Sequence, residues 1–352
     1  QTAPEELAAV HGVNLVIGTK DKSKIVELVE DYQAEQGVQN YVTDIMHERV
    51  FEPLEIKKLA NRTRAYLKIQ DGCSQFCSYC IIPYARGPIR SRQPEDVIAE
   101  VKRLAENGFK EVVLTGIHVA SYGKDLKTIT LTDIIRQVHE VEGIERIRFS
   151  SIEPNVVTEE FAAAMAELPK VCDHFHLSLQ SGCDKTLKEM NRKYDTEKYR
   201  QAAALLRKYL PDVAITTDII VGFPGETEED YQASRAFAEE IGFSKIHVFP
   251  YSPKKGTPAA ARKDQLQNAV KQARSHDLIT VSDRMTDAFL QKHVGKVMPV
   301  LFERCVGDDV YEGHTTNYMK VHARSTKDLS NVIADTKILS VAEEMAFGEV
   351  EA

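Results

Sequence analysis

Residues 71–83 read Asp-Gly-Cys-Ser-Gln-Phe-Cys-Ser-Tyr-Cys-Ile-Ile-Pro and place three thiols, Cys73, Cys77 and Cys80, in a C-x3-C-x2-C pattern directly after a strand-like run. Three thiolates on one loop can hold a small inorganic cluster, whereas clusters that only transfer electrons usually have four cysteine ligands. A four-iron cluster with three protein ligands keeps one iron open, and a metal needs an open position to bind a small molecule. The pattern therefore predicts a catalytic iron-sulfur site at the end of a strand.

Strand-like and helix-like segments alternate on the carboxyl side of this loop. Apolar runs at residues 65–70, 111–115, 146–151, 174–180, 213–221 and 245–250 predict six strands, and patterns of period 3.6 at 94–106, 158–168, 196–210 and 227–241 predict helices between them. Repeated βα units imply a parallel sheet, and six of them predict a partial (β/α)6 barrel with functional loops at the carboxyl ends of its strands. An open doubly wound sheet is the alternative.

The chain divides into four predicted segments. Residues 1–32 read as helix, short strand and helix, which is the end of an α/β domain because one strand cannot cover both its faces. Residues 33–61 lack periodicity and predict a linker, and residues 62–292 hold the predicted barrel. Residues 293–352 mix β-forming residues with Gly and Asn turn signals, which predicts a small β-barrel.

Composition excludes several classes of protein. The chain has 352 residues, 43% of them hydrophobic, and a formal net charge of −8, which is typical of a globular protein and argues against wholesale disorder. No run approaches the roughly 18 to 20 apolar residues of a membrane span, and no secretory signal is recognisable. Six cysteines are too few for a disulfide scaffold in a chain of this length. We therefore expect a cytoplasmic protein without a membrane partner.

With an aromatic residue, Tyr79, before the last thiol and a six-unit barrel behind it, the motif resembles that of the radical S-adenosylmethionine (SAM) superfamily. The resemblance implies that Cys73, Cys77 and Cys80 are the metal ligands and catalytic residues of a [4Fe-4S] cluster. Its open iron would chelate SAM, and an electron from a reducing donor protein would cleave the sulfonium to a 5′-deoxyadenosyl radical. The residues alone leave a zinc knuckle completed by a distant His as the alternative.

Other strand ends match the same superfamily and imply cofactor contacts. Besides Tyr79, the implied SAM-binding residues are Thr115 and Gly116 at the methionine amino group, Ser151 and Glu153 at the ribose, Gln180 at the fourth strand end, Arg192 at the methionine carboxylate and Gly222 at the adenine. The simpler alternatives are that Gly116 is a turn glycine and that Glu153 and Arg192 are surface ion-pair residues. We expect His118, His174 and His176 to be packed strand-end residues.

Within the superfamily, the sequence around the thiols and at residues 176–184 resembles the methylthiotransferases. Residues 116–123, Gly-Ile-His-Val-Ala-Ser-Tyr-Gly, favour the branch that adds a methylthio group to C2 of N6-threonylcarbamoyladenosine beside the tRNA anticodon. The alternatives are the branches that act on isopentenyladenosine or on a ribosomal protein aspartate. Residues 311–318, Tyr-Glu-Gly-His-Thr-Thr-Asn-Tyr, resemble a TRAM domain, a small RNA-binding β-barrel.

One departure from the family concerns a second [4Fe-4S] cluster. The family holds it with three further cysteines of an amino-terminal methylthiotransferase domain, and none of these three is in this sequence. We therefore expect residues 1–32 to be the end of that domain, truncated here, and the fragment alone to lack sulfur insertion.

Charge supports an RNA substrate, the anticodon stem-loop of tRNA. Between Pro53 and Arg92 the chain has eight basic and two acidic residues, which predicts a phosphate-binding surface around the thiol loop. Candidate contacts are Arg86, Arg90, Arg92 and Tyr251, and the alternative is a solvated linker. Residues 293–352 have six basic and ten acidic residues, so we expect this module to bind RNA by stacking of Tyr, Asn and His rather than by charge. A metal-stabilised RNA-binding module without catalysis is the non-enzyme alternative.

Overall fold

The computed structural model describes residues 1–33, 37–53 and 63–351. At the amino end, helix α1 (Pro4–Ala8) contacts two short parallel strands, β1 (Leu15–Val16) and β2 (Gln39–Asn40), and helix α2 (Ile25–Glu30) lies between them in the chain. Strand β2 lies inside the range that the sequence predicted as a linker. The sequence did not predict it, because two residues are too few to show an alternation of apolar and polar side chains.

Six parallel strands form the central unit. They are β3 (Arg64–Asp71), β5 (Glu111–Gly116), β6 (Arg146–Phe149), β7 (His174–His176), β8 (Ala214–Val221) and β9 (Lys245–Pro250), and the short β4 (Arg90–Ser91) pairs antiparallel with β3. Strands β3, β5 and β6 form one sheet and β7, β8 and β9 another, while single parallel bridges such as Ile147 with Val171 join β6 to β7. The strands therefore follow one another around the sheet in chain order, which confirms the partial barrel and excludes the reversal of a doubly wound sheet.

Helices cover the outside of this barrel. They are α3 (Ile82–Arg86), α4 (Pro94–Glu106), α5 (Leu131–His139), α6 (Glu159–Ala166), α7 (Asp184–Glu189), α8 (Thr196–Tyr209), α9 (Glu228–Ile241) and α10 (Asn268–Gln291). Helix α4 begins with a proline, which suits the first turn, and α5 and α9 begin with reciprocal capping boxes, Thr130 with Asp133 and Thr227 with Asp230. Within the described residues, every helix is too short or too polar to cross a lipid bilayer.

The carboxyl-terminal module is a closed five-stranded β-barrel, as the sequence predicted. Its strands are β10 (Val297–Gly307), β11 (Val310–Thr315), β12 (Lys320–Arg324), β13 (Val332–Ala342) and β14 (Met345–Val350), in the order β10-β11-β12-β14-β13. Fully buried Val300, Phe302, Val321 and Ile338 form the centre of its core.

This module covers the amino end of the (β/α)6 barrel. Arg146 of β6 donates hydrogen bonds of 2.8 Å to the carbonyl oxygens of His314 and Pro299, and Arg148 donates to that of Thr316 at 3.1 Å. The Tyr318 ring lies 4.9 Å from the His174 ring of β7 in a stacked arrangement. These contacts correct part of the expectation from the sequence, because Tyr318, one of the side chains expected to stack on RNA, packs against the barrel instead.

Candidate active site

The thiol loop begins where β3 ends, at a glycine that no other residue could replace without strain. Gly72 has a φ of +72°, and a Cβ atom there would lie 1.9 Å from the Pro88 carbonyl oxygen. The Cys73 amide then donates to the Gly87 carbonyl oxygen, and the Cys80 amide to that of Cys77, both at 3.0 Å. The backbone therefore folds the loop tightly enough to bring three thiols to one strand end.

All three thiols are free, with Cys77 buried and the other two partly exposed. Burial raises the pKa of Cys73 to about 11 and also raises that of Cys80, and the neighbouring thiols act in the same direction. Because cysteine binds metals as thiolate, iron binding here would release protons.

The donor set fits a [4Fe-4S] cluster better than zinc. Three thiols on one loop are the donors that a cluster with an open iron requires. In the described part of the chain, no group of three His, Cys, Asp or Glu side chains is placed to hold one metal ion. A tetrahedral zinc site needs that close convergence. The zinc knuckle therefore has no support from the geometry.

A buried ion pair lies against the thiol loop. Arg192 Nη2 donates to Glu153 Oε1 at 2.9 Å, and Arg192 Nη1 lies 3.1 Å from Cys77 Sγ. Both side chains are less than a tenth exposed, which excludes a surface ion pair. The fold thus brings together two of the residues that the sequence singled out, Glu153 after β6 and Arg192 after α7, next to Cys77.

Two further residues, which the sequence did not mark as site residues, contact the same carboxylate. His118 Nε2 lies 3.2 Å from Glu153 Oε2, and Gln75 Nε2 donates to the same oxygen at 3.2 Å. His118 had been expected to be a packing residue. Its position two residues after Gly116, at a strand end of the barrel, is the signal that could have identified it.

The electrostatics favour the charged forms of this pair. Burial alone would raise the pKa of Glu153, but the contact with His118 and the charge of Arg192 lower it below its usual value. Burial alone would lower the pKa of Arg192, but Tyr194, Tyr79 and Cys77, with Glu153, raise it overall. The site therefore presents a fixed cation and a fixed anion beside the thiols.

The other residues at the strand ends have different surroundings. Thr115 and Ser151 line a cavity inside the barrel. A Cβ atom on Gly116 would lie 2.8 Å from Gln70 Oε1, so this glycine packs against β3. Gln180 has a φ of +72°, a strained conformation for a residue other than glycine, and residues in such conformations are concentrated at functional sites.

Tyr79 and Gly222 lie on another side of the loop. Tyr79 packs against a small apolar cluster that contains Met190, Phe223 and Tyr251, and burial raises its pKa well above the usual value. Gly222 has a φ of +70°, and its amide donates to Glu226 Oε2 at 2.7 Å. A Cβ atom there would lie 2.5 Å from Lys271 Cγ, so on that side the glycine packs against helix α10.

The candidate RNA contacts are mostly internal. Arg90 is 3% exposed and lies 3.4 Å from Asp71, and Arg92 forms an ion pair of 2.8 Å with Glu100. Tyr251 is 5% exposed. We therefore withdraw these three as RNA contacts, because their polar groups or rings are held inside the protein. Arg86 is partly exposed at the end of α3 and stays a candidate. Three other residues of the basic stretch, Lys57, Lys58 and Arg62, lie outside the described residues.

Comparison with known proteins identifies the family of this chain. The sequence profile of the radical SAM superfamily matches residues 67–238. The chain is 42% identical to threonylcarbamoyladenosine tRNA methylthiotransferase MtaB of Bacillus subtilis (strain 168), over 96% of this chain and 76% of that protein. It is 40% identical to tRNA-2-methylthio-N(6)-dimethylallyladenosine synthase of Thermoanaerobacter sp. (strain X514), over 96% of this chain and 72% of that protein.

Among solved structures, the radical S-adenosylmethionine methyltransferase TsrM from Kitasatospora setae has a TM-score of 0.47 and 18% identity, covering 56% of this chain and 38% of that one. Barrel, thiol loop and sequence profile thus define a radical SAM enzyme, a class that carries a [4Fe-4S] cluster and binds SAM. The chain belongs to the MtaB-type methylthiotransferases of that superfamily, within a family of enzymes that modify tRNA.

Proposed function

We propose that this enzyme adds a methylthio group to C2 of N6-threonylcarbamoyladenosine in the anticodon stem-loop of tRNA. The observation that carries the chemistry is the position of Cys77 Sγ, 3.1 Å from the guanidinium of the buried Arg192–Glu153 pair. The identity with MtaB, over nearly the whole chain, supports the substrate.

Each residue has a proposed task. Cys73, Cys77 and Cys80 would hold the [4Fe-4S] cluster as thiolates. Arg192 would bind the methionine carboxylate of SAM, which suits a guanidinium, and Glu153 would accept a hydrogen bond from a ribose hydroxyl. The remaining proposed SAM contacts are Tyr79, Thr115, Gly116, Ser151, Gln180 and Gly222.

When bound, the cluster and SAM supply the radical that takes hydrogen from C2 of the adenine ring. The chain itself excludes water, because Cys77, Glu153 and Arg192 are buried and a dry site strengthens the electrostatic contacts among them. The target base must leave its stack to reach this depth, as in other enzymes that act on a base.

Further proposals are supported by the resemblance to the methylthiotransferase family. We propose a second [4Fe-4S] cluster held by cysteines that this sequence lacks, a reducing electron-donor protein and a cytoplasmic location with the tRNA. We also propose the boundaries 1–32, 33–61, 62–292 and 293–352 for the end of the methylthiotransferase domain, the linker, the radical SAM barrel and the TRAM domain.

Mass spectrometry of tRNA nucleosides from a strain that lacks the gene tests the substrate. We expect 2-methylthio-N6-threonylcarbamoyladenosine to disappear and to return when the gene is restored. If that nucleoside persists and the methylthiolated dimethylallyladenosine disappears, the substrate is wrong and the second candidate is right. That candidate is favoured by the 40% identity with the dimethylallyladenosine enzyme.

Anaerobic reconstitution with iron and sulfide tests the class of protein. We expect a brown protein that forms 5′-deoxyadenosine from SAM in the presence of a reductant. A colourless, zinc-loaded protein that binds RNA would instead support the metal-stabilised RNA-binding module.

A further inference from the structure

The interior of the six-stranded barrel contains a cavity of about 640 Å³. Thr115, Ser150 and Ser151 line it near the carboxyl ends of the strands, where the thiol loop also lies. His174 and His176 line it deeper inside, and the floor is formed by residues of the carboxyl-terminal module, which are His314, Asn317, Tyr318 and Met319. The cavity therefore extends from two of the proposed SAM contacts, Thr115 and Ser151, to the base of the barrel.

Polar atoms without hydrogen-bond partners lie on its walls. The His174 side chain is nine-tenths buried, and its Nε2 contacts Thr216 Oγ1 at 3.1 Å while its Nδ1 has no partner. His176 Nδ1 contacts the same hydroxyl at 3.1 Å, and its Nε2 lies 3.3 Å from Asp218 Oδ2 without forming a hydrogen bond. The Ser150 hydroxyl also lacks a hydrogen-bond partner. An unsatisfied buried polar group costs roughly 1–3 kcal/mol, so these walls suit an occupant that donates and accepts hydrogen bonds.

The walls are also partly aromatic, and Arg64, Arg148 and Lys245 are among the charged side chains that line them. Burial, together with the charge of Arg148 and the neighbouring histidines, lowers the pKa of His174 well below its usual value. The His176 and His247 rings stack at 5.8 Å, and the Tyr318 ring stacks on both His174 and His314. A neutral imidazole has one donor and one acceptor nitrogen, so this wall can pair with either kind of group.

We propose that this cavity receives the polar N6 substituent of the target adenosine, with His176 and Ser150 as specificity-determining residues and Tyr318 as the floor. This inference rests on the proposed function. In adenine, N6, N1 and C2 lie along one edge of the ring, so a base that presents C2 at the thiol end of the barrel directs its N6 substituent toward the same interior.

The chemistry of the substituent decides which base fits. A threonylcarbamoyl group carries a urea, a hydroxyl and a carboxylate, which can pair with the free imidazole nitrogen and hydroxyl. A dimethylallyl group has no hydrogen-bonding atom and would leave both unsatisfied. Sites built to hydrogen-bond a polar substrate discriminate strongly against apolar analogues for this reason.

The test measures how tightly the reconstituted chain, with SAM and without oxygen, binds two anticodon stem-loops. One carries threonylcarbamoyladenosine and the other dimethylallyladenosine at the same position. The variants are His176→Leu, Ser150→Ala and, as a matched control, His276→Leu on the exposed face of α10. We expect the wild-type protein to prefer the threonylcarbamoyl RNA and His176→Leu and Ser150→Ala each to reduce that preference by about tenfold. His276→Leu should keep it.

The ratio of the two affinities separates the possible failures. If the wild-type protein prefers the threonylcarbamoyl RNA and both wall variants keep the full preference, the inference about the cavity is overturned while the proposed function stands. If the wild-type protein prefers the dimethylallyl RNA, the proposed substrate itself is wrong. Equal binding of the two RNAs by the wild-type protein also overturns the inference, whereas tRNA nucleoside analysis still decides the function. Ser150→Ala keeps the test decisive if His176→Leu misfolds. It should fold normally, because the Ser150 hydroxyl has no hydrogen-bond partner to lose.

Discussion

Arg192 Nη2 and Glu153 Oε1 lie 2.9 Å apart in a buried ion pair that borders Cys77. Arg192→Ala should weaken SAM binding by roughly tenfold to a hundredfold, because a charged hydrogen bond to the ligand contributes about 1.5–3 kcal/mol. Anaerobic equilibrium dialysis with labelled SAM measures this. Arg284→Ala, whose side chain is 64% exposed on α10, is the control. Unchanged affinity in Arg192→Ala would show that this guanidinium does not bind SAM.

The cluster ligands allow a direct test. Cys77→Ala should lose most of the iron and sulfide and all SAM cleavage, because two thiolates cannot hold the cluster on this loop. Iron analysis and 5′-deoxyadenosine formation are the measurements, and Cys305→Ala, at an exposed cysteine, is the control. A Cys77→Ala protein with full iron and native SAM cleavage would refute the assignment to the radical SAM class.

His118 contacts the carboxylate of Glu153, with its Nε2 atom 3.2 Å from Oε2. We expect His118→Ala to raise the KM for SAM by roughly threefold to tenfold with little change in kcat, since a lost polar contact costs about 0.5–1.5 kcal/mol. His118→Gln should recover part of the loss because it keeps a donor. A purely structural role would instead lower the unfolding midpoint of both variants and leave KM unchanged.

Stability should depend on pH through the buried histidines. The folded-state pKa of His174 is well below its usual value of about 6.5, so the unfolded chain binds a proton that the folded chain does not. The free energy of unfolding should therefore be highest above about pH 6.5 and fall as the pH drops below it, by at most about 1.4 kcal/mol per pH unit for this group. Urea unfolding at several pH values measures the slope.

His174→Gln should make that slope shallower, and His276→Gln should not. Some slope should remain in His174→Gln, because the pKa values of His247 and His293 are also lowered by burial. An unchanged slope in His174→Gln would contradict the buried, neutral state of this imidazole.

The contact between the two barrels is the fifth test. Arg148 Nε donates to Glu111 Oε1 at 3.1 Å, and its other nitrogens donate to carbonyl oxygens of Thr315 and Thr316. Arg148→Met should lower the free energy of unfolding by about 3–5 kcal/mol, because it removes the hydrogen-bonded partner of the buried Glu111 carboxylate and leaves only Arg146, at 3.9 Å. Adding Glu111→Gln should restore part of the loss. Equal urea midpoints for the wild-type protein and Arg148→Met would contradict this role.

Much of the barrel could be predicted from local pattern. The apolar runs located all six strands, and the helix predicted at 94–106 has those bounds in the structure. Helix α5 was missed although its capping box, Thr130 with Asp133, is a local signal. The two-residue strands had no signal, because an alternation needs more residues.

The site residues that belong to a local sequence motif could be predicted. The contacts between segments that are far apart in the chain could not. Spacing identified the three thiols, and the family resemblance identified Glu153 and Arg192. Arg90 and Arg92 looked like surface cations because their partners, Asp71 and Glu100, approach them only in the folded chain. The inward direction of Tyr318 follows in the same way from docking of the last module, which no local pattern encodes.

That docking has a consequence for enzyme evolution. Tyr318 and its neighbours form the bottom of the barrel cavity, although they belong to the separate carboxyl-terminal module. A chimera that exchanged residues 293–352 between two relatives would therefore alter the inner shape of the catalytic unit. Substitutions in this module, more than a hundred positions after the thiols in the chain, would then change the selectivity for the modified base.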